Sequence, residues 1–143
     1  MIHLKDSKLQ IDHKITYLVG DGNISNKAIS PYSDIVCNFL ADISIFLKKQ
    51  KNISDFTDLI AFSFWCRRAN LAILKKKFYQ SNKMRIGRGL VFHITPSNVP
   101  VNFAYSLCFG LIAGNSNILR VSSQDMPQVD MICSVINILL KQA

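Results

Sequence analysis

Acid is what this sequence is short of. Nine Asp and Glu stand against seventeen Lys and Arg, leaving a net charge of +8 and a pI near 9.5. That balance favours anionic partners (phosphates, nucleic acid or acidic lipid) without choosing among them. Cysteine is scarce too. Cys37, Cys66, Cys108 and Cys133 lack both the paired spacing of a zinc site and the density of a disulfide scaffold, so a reducing cytoplasm is the simpler home. His3, His13 and His93 are too scattered to form a metal site, and no metal is expected. The opening Met1-Ile2-His3-Leu4-Lys5-Asp6 has no charged region leading into a continuous apolar run, so it does not read as a signal peptide. No membrane span is expected either. The longest apolar stretch, around residues 99–113, is broken by Asn102 and Ser106 and falls short of the roughly 20 residues a bilayer needs.

What is present suits one ordinary domain. A chain of 143 residues can bury roughly two-thirds of its unfolded surface. With 49% hydrophobic and 18% charged residues, it has ample apolar surface to offset the entropy of ordering. The mean hydropathy of +0.19 is high for such a domain and suggests either a membrane or apolar faces that further polypeptide should cover.

Periodicity divides the chain near residue 86. Ile15-Thr16-Tyr17-Leu18-Val19, closed by Gly20-Asp21-Gly22, predicts a short edge strand. Val36, Phe39, Leu40, Ile43, Phe46 and Leu47 recur at helical spacing, with Asp34 near the start and Lys48-Lys49 at the end, and predict an amphipathic helix. A second, long helix is expected over residues 54–78, with Leu59, Ile60, Phe64, Leu71, Leu74 and Phe78 as its stripe. The rhythm then changes. Leu90-Val91-Phe92-His93-Ile94 has no polar alternation beyond His93 and predicts a strand buried on both faces, with that histidine hydrogen-bonded in the core. A turn over residues 95–100 leads into an apolar helix stopped by Gly114, then a strand over residues 117–121. Ser122-Ser123-Gln124-Asp125 can cap a last helix with Pro127 in its first turn. Strand, helix, strand, helix is the opening of a parallel α/β sheet, and no internal repeat competes with that reading.

Chemistry is expected at the turn after the first of these strands, because ligands in open α/β sheets bind beyond the carboxyl ends of the strands. Pro96 and Pro100 stiffen the loop around Ser97 and Asn98. A carboxamide held there could donate to a developing oxyanion at little reorganisation cost, or could simply close an Asx turn. All four cysteines read as small buried hydrophobes, since none lies beside a histidine or at a helix N-terminus.

The run Gly89-Leu90-Val91-Phe92-His93-Ile94-Thr95-Pro96-Ser97-Asn98-Val99-Pro100, continuing through Gly110-Leu111-Ile112-Ala113-Gly114-Asn115-Ser116-Asn117-Ile118-Leu119-Arg120, closely resembles the acyl-CoA reductase family of bacterial luminescence. That family is also called long-chain acyl-protein thioester reductase. Phe64-Trp65-Cys66-Arg67-Arg68-Ala69-Asn70-Leu71 resembles it as well, so the resemblance spans roughly residues 55–143. More distantly the pattern is similar to the aldehyde dehydrogenase superfamily. The loop Pro96-Ser97-Asn98-Val99-Pro100 stands where that superfamily has Pro-aromatic-Asn-aromatic-Pro, with both aromatic positions replaced.

The resemblance implies N-terminal helices over residues 1–86, followed over residues 87–143 by the first strands and helices of an aldehyde-dehydrogenase-like, Rossmann-type cofactor domain, incomplete. It implies NADPH-dependent reduction of a long-chain fatty acyl thioester, acyl-CoA or acyl-protein, to the aldehyde. Asn98 would be the oxyanion-stabilising amide, and Ile94, Thr95, Pro96 and Ser97 would line the nicotinamide side of the cleft. Arg120 would take the place of a lysine at the adenosine ribose. Ser123 stands where NAD-using relatives often carry a ribose-binding glutamate, which leans the expectation toward NADP. Acyl-transferase and acyl-protein synthetase subunits of a fatty acid reductase complex are the implied partners.

The family nucleophile, the later glycine turn and the remaining strands have no counterpart in these residues, so a fragment inactive by itself is expected. Unpaired sheet edges and uncovered helices would then make it self-associate. The alternative is a small basic module binding nucleic acid through Arg67-Arg68, Lys75-Lys76-Lys77 and Lys83, Arg85 and Arg88, although no helix-turn-helix, zinc or RNP-like motif sharpens it.

Overall fold

Ser33 begins the regular structure: its hydroxyl accepts from the Val36 N–H and caps a helix that has Asp34 in its first turn and Lys48 in its last, both favourable to the helix dipole. In the computed structural model, which describes residues 15–20, 23–79 and 82–142, this helix is α1 (Asp34–Lys48). It is followed by α2 (Thr57–Trp65), α3 (Arg68–Phe78), β1 (Leu90–Ile94), α4 (Asn102–Ile112), β2 (Ser116–Arg120) and α5 (Pro127–Leu140). His3, His13, the chain start and Asp21-Gly22 lie outside the described residues.

The α/β class is confirmed in a small form: β1 and β2 pair in parallel, Leu90 opposite Ser116 through Ile94 opposite Arg120, with α4 as the crossover. Such an arrangement is compatible with an incomplete domain. The expected edge strand at residues 15–19 is not formed; residues 15–17 have no regular structure and 18–20 make a bend. Its apolar run has no neighbouring strand to pair with, and it is tied instead to α5 by the Asn137 amide, which donates to the Leu18 carbonyl at 2.8 Å.

The long second helix is also corrected. It breaks at Cys66 and Arg67, where Arg67 is extended, because side chains satisfy the carbonyls that a continuous helix would use. Asn70 Nδ2 donates to the Trp65 carbonyl at 2.7 Å and Arg67 Nε to that of Phe64 at 3.0 Å. The break re-aims the apolar stripe. Leu59, Phe62, Cys66 and Leu71 are buried, whereas Ile60, Phe64 and Phe78 face outward.

The core lies between α1, α2, α4 and α5, with Leu40, Ile43, Leu47, Leu59, Phe62, Ile132 and Val135 essentially sealed from solvent. Tyr105 of α4 takes Phe62 and Trp65 of α2 edge-on, at 5.0 and 5.7 Å between ring centres, a geometry the ring quadrupoles favour. Because α1 lies against α5, helices from both sides of residue 86 share this core.

Gly114 stops α4 in the left-handed region, φ +84°, where a Cβ would run into the Ile29 carbonyl. Ile29 in turn bonds both Gly114 and Gly87, its N–H donating at 2.9 Å and its carbonyl accepting at 3.0 Å. These ties lash the extended segment before α1 to the entry of the sheet.

Two further expectations need correcting. β1 is not buried on both faces. Val91 and His93 are half-buried on the side that α4 covers, while Leu90, Phe92 and Ile94 on the other side are exposed, the last two at 58% and 71%. With only two strands and helices on one side, nothing among the described residues covers the second face. Nor do residues 122–125 cap α5: its N-cap position is Met126, without a side-chain bond, and Ser122 Oγ accepts instead from the Gln124 N–H at 3.1 Å in a local turn. Pro127 does occupy the first turn.

Candidate functional site

Where β1 and β2 end together, the chain makes a shallow, open cleft whose interior volume is only about 10 Å³. Its walls come from the loop after β1 (Thr95, Pro96, Val99 and Pro100), the loop after β2 (Val121 and Ser122) and the first turns of α4 and α5 (Phe103, Met126 and Val129). The site is built by the parallel pairing. Thr95 Oγ1 donates to the Arg120 carbonyl at 3.1 Å, joining the strand ends and fixing the loop's point of departure.

The residues expected at this site divide into three groups. Thr95 and Pro96 line the cleft. Ile94 and Arg120 are directly opposite each other on the exposed face of the sheet, beside the cleft rather than in it. Ser97, Asn98 and Ser123 are exposed on the two loops. The Asn98 carboxamide takes part in no hydrogen bond among the described residues, so it does not close an Asx turn there. The donor stays available. Val99 belongs to the motif loop but had no expected role, Ser122 was expected only to cap α5, and Phe103, Val121, Met126 and Val129 were not singled out by motif. Val129 carried a signal of a different kind, the apolar face of α5, and only the approach of α5 to the loop turns part of that face into a cleft wall.

Beneath the sheet, His93 Nε2 lies 2.9 Å from Asn117 Oδ1, which confirms the expected hydrogen bond although the ring is only half-buried. The thiols behave as packing groups. Cys66, Cys108 and Cys133 are buried, and Cys66 and Cys108 touch at 3.9 Å between sulfurs. Burial, with the Cys66 contact second, holds the Cys108 thiol well above the ordinary range. Burial, with Asp130 second, pushes Cys133 up to about 11. Cys37 is half-buried rather than buried, and it too is raised, chiefly by burial and against the pull of Lys75. No side chain here activates one of them as a nucleophile.

The profile of the family described as acyl-CoA reductase (LuxC) matches residues 25–138, most of the chain, including both strands, the loop between Thr95 and Pro100, and α1, which lies ahead of the recognisable motifs. The chain belongs to the acyl-CoA reductase (LuxC) family. No curated protein and no solved structure matches it. Among the described residues, no helix is long and apolar enough to cross a membrane.

Proposed function

We propose that this chain contributes the oxyanion loop and the first part of the cofactor cleft to a reductase that converts a long-chain fatty acyl thioester, carried on CoA or on a protein, to the aldehyde with NADPH. The carrying observation is the proline-bracketed loop at the joined ends of two parallel strands, with the unengaged Asn98 carboxamide on it, in a member of this family.

The residues present suit part of a dinucleotide. The cleft encloses only about 10 Å³, far below the several hundred Å³ typical of a whole ligand site, so it can serve as one wall against which part of the cofactor lies, not as an enclosing pocket. The side chains around it are apolar apart from the hydroxyls of Thr95 and Ser122, which suits one face of a planar ring. When bound, the nicotinamide supplies hydride. The chain's own residues orient and stabilise: Ile94, Thr95, Pro96 and Ser97 form the nicotinamide side, and Asn98 donates to the oxygen that gains negative charge as the acyl carbon becomes tetrahedral. Arg120 offers a planar guanidinium to the ribose 2'-phosphate, and Ser123 brings no carboxylate to repel it.

In this reading residues 1–86 are the helical support and residues 87–143 the opening of the cofactor domain. The thiol that takes the acyl group comes from polypeptide other than these four cysteines. Cytoplasmic acyl-transferase and acyl-protein synthetase subunits are the expected partners.

Two measurements test this. NADPH should protect Arg120 from modification by phenylglyoxal more strongly than NADH does, and should shift the amide resonances of Ile94, Thr95, Ser97 and Asn98. In the assembled reductase, Asn98→Ala should cut turnover by roughly 100- to 1,000-fold, the loss typical of one oxyanion donor, while NADPH binding persists. Unchanged turnover in Asn98→Ala, or equal protection by both nucleotides, would overturn the corresponding assignment.

A further inference from the structure

Of the four thiols in this chain, Cys66 and Cys108 are the two that meet. Their sulfurs lie 3.9 Å apart although 42 positions separate them in the chain, and both side chains are sealed from solvent, at 0% and 1% exposure. The other two have no such neighbour among the described residues. Cys37 Sγ donates to the Tyr32 carbonyl at 3.7 Å, and Cys133 is buried on α5 without a second sulfur in hydrogen-bond reach.

The pair straddles the division of the chain near residue 86. Cys66 ends α2, in the short turn before the extended Arg67, whereas Cys108 lies inside α4. A disulfide holds its sulfurs about 2.05 Å apart, so the two must close by about 2 Å. The turn gives the room, since a change of backbone and side-chain torsion at Cys66 moves its sulfur without displacing α4. No side chain activates either thiol, and burial keeps that of Cys108 protonated in neutral solution, so a first oxidation is slow. Pairing acts on the second step. A sulfur oxidised here finds its partner already in place, whereas Cys37 would wait for a thiol to arrive by diffusion.

We propose that Cys66 and Cys108 are a peroxide-sensitive dithiol site that closes to a disulfide and staples the N-terminal helices to the crossover helix α4. One sulfur attacks an oxygen of hydrogen peroxide and the O–O bond breaks. The leaving oxygen departs as water with the thiol proton, and a sulfenic acid remains. The second sulfur then attacks the first. The S–O bond breaks as S–S forms, and the hydroxyl leaves as water with the second thiol proton, so each sulfur gives up one electron and the peroxide takes both. The bond closes a loop across 42 positions and so restricts the unfolded chain more than the folded one. In a reducing compartment the dithiol is the resident form and the disulfide a response to oxidant. This stands apart from the reductase reading, since it needs neither the cleft nor Asn98.

The test uses the whole chain, reduced and then exposed to hydrogen peroxide without denaturant. Two of the four thiols should be lost together, and trypsin should release residues 52–67 joined to residues 89–120, two hydrogens lighter than the separate peptides. Cys66→Ser or Cys108→Ser should abolish the link. Because serine in the core could unfold the chain, Cys37→Ala with Cys133→Ala is the second variant: it keeps the pair and should form the link at the unsubstituted rate. The linked chain should unfold at a higher urea concentration than the reduced chain, and dithiothreitol should restore the lower midpoint.

Oxidation confined to Cys37, with Cys66 and Cys108 still free, would overturn the proposal. So would a link that forms only in urea, or one between two chains that persists in Cys37→Ala with Cys133→Ala. A linked chain that unfolds at a lower urea concentration than the reduced one would show that the fold does not accept the bond, and would overturn it as well.

Discussion

The imidazole of His93 and the side-chain amide of Asn117 meet across the two strands, Nε2 to Oδ1, at 2.9 Å. Asn117 Nδ2 donates to the Asn115 carbonyl at 2.8 Å. A carbonyl can only accept, so Oδ1 must face the ring and Nε2 must carry the imidazole proton. The same Asn117 side chain fills the space where a Cβ at Gly110 of α4 would stand. One amide thus joins both strands to the helix between them.

Gly110→Ala should therefore destabilise the chain, although alanine is the better helix former by roughly 0.8–1.0 kcal/mol. Overpacking against Asn117 outweighs that gain, and a net loss of about 1–2 kcal/mol is expected in urea unfolding. Combining Gly110→Ala with Asn117→Ser should recover part of the loss. Additive effects would show that the two residues are not coupled.

Removing Asn117 alone leaves the His93 N–H facing a gap under half-buried conditions. Asn117→Ala should cost about 1–3 kcal/mol, and a loss confined to a few tenths would mean that water replaces the amide without penalty.

Burial of the core and openness of the sheet face predict opposite responses to truncation. Leu40→Ala, at a sealed position between helices, should cost about 2–5 kcal/mol. Phe92→Ser should change stability by less than about 1 kcal/mol, because the ring is mostly in water already. A large loss at Phe92 would show that the face is covered in solution.

The thiols and phenols give the pH dependence. Burial chiefly raises Cys37, Cys108, Cys133, Tyr32 and Tyr105, favouring their neutral forms in the folded chain. A group raised in this way stabilises fully below its unfolded value and loses that contribution as the pH climbs through the folded one. For Cys133 the window runs from the ordinary 9.0 to about 11. Thermal unfolding should therefore fall across this range, and Cys133→Ala should flatten part of the fall. Iodoacetamide should label Cys133 slowly at pH 8 and faster only above that window.

Asp34 and Lys75 form an exposed ion pair at 2.9 Å that lowers the first pKa and raises the second, the hydrogen bond leading in each case. Its contribution is lost as the pH falls through the lowered Asp34 value, or rises through the raised Lys75 value. Because both groups are open to solvent and salt, Asp34→Asn should leave the melting temperature nearly unchanged in physiological salt, while Lys75 in that variant titrates lower by NMR.

Helix positions were legible where the apolar stripe and its capping residues agree. Val36, Leu40, Ile43 and Leu47 follow Ser33 and Asp34, and α1 forms where they predict it. The bend at Cys66 was not legible, since it depends on where the Asn70 and Arg67 side chains find carbonyls. The strand pattern in Leu90–Ile94 announced a strand but misjudged its surroundings: apolarity on both sides of a strand records what the surface is suited to meet, not what meets it. Of the site, the residues from Thr95 to Pro100 were readable as a motif. The cleft walls from α4 and α5 were not, because they are neighbours of the loop only through the packing of helices.

By itself, then, the order of residues determined α1, the strand–helix–strand–helix order after residue 86, the family and the stiff loop carrying Asn98, since turn chemistry, helical spacing and proline geometry act over a few neighbouring positions. Tertiary structure alone decided which side of the sheet is covered, that Thr95 bonds to Arg120, and that Met126 and Val129 close on the loop. Those outcomes depend on where segments distant in the chain come to rest, and the energy that places them there is shared across the whole core.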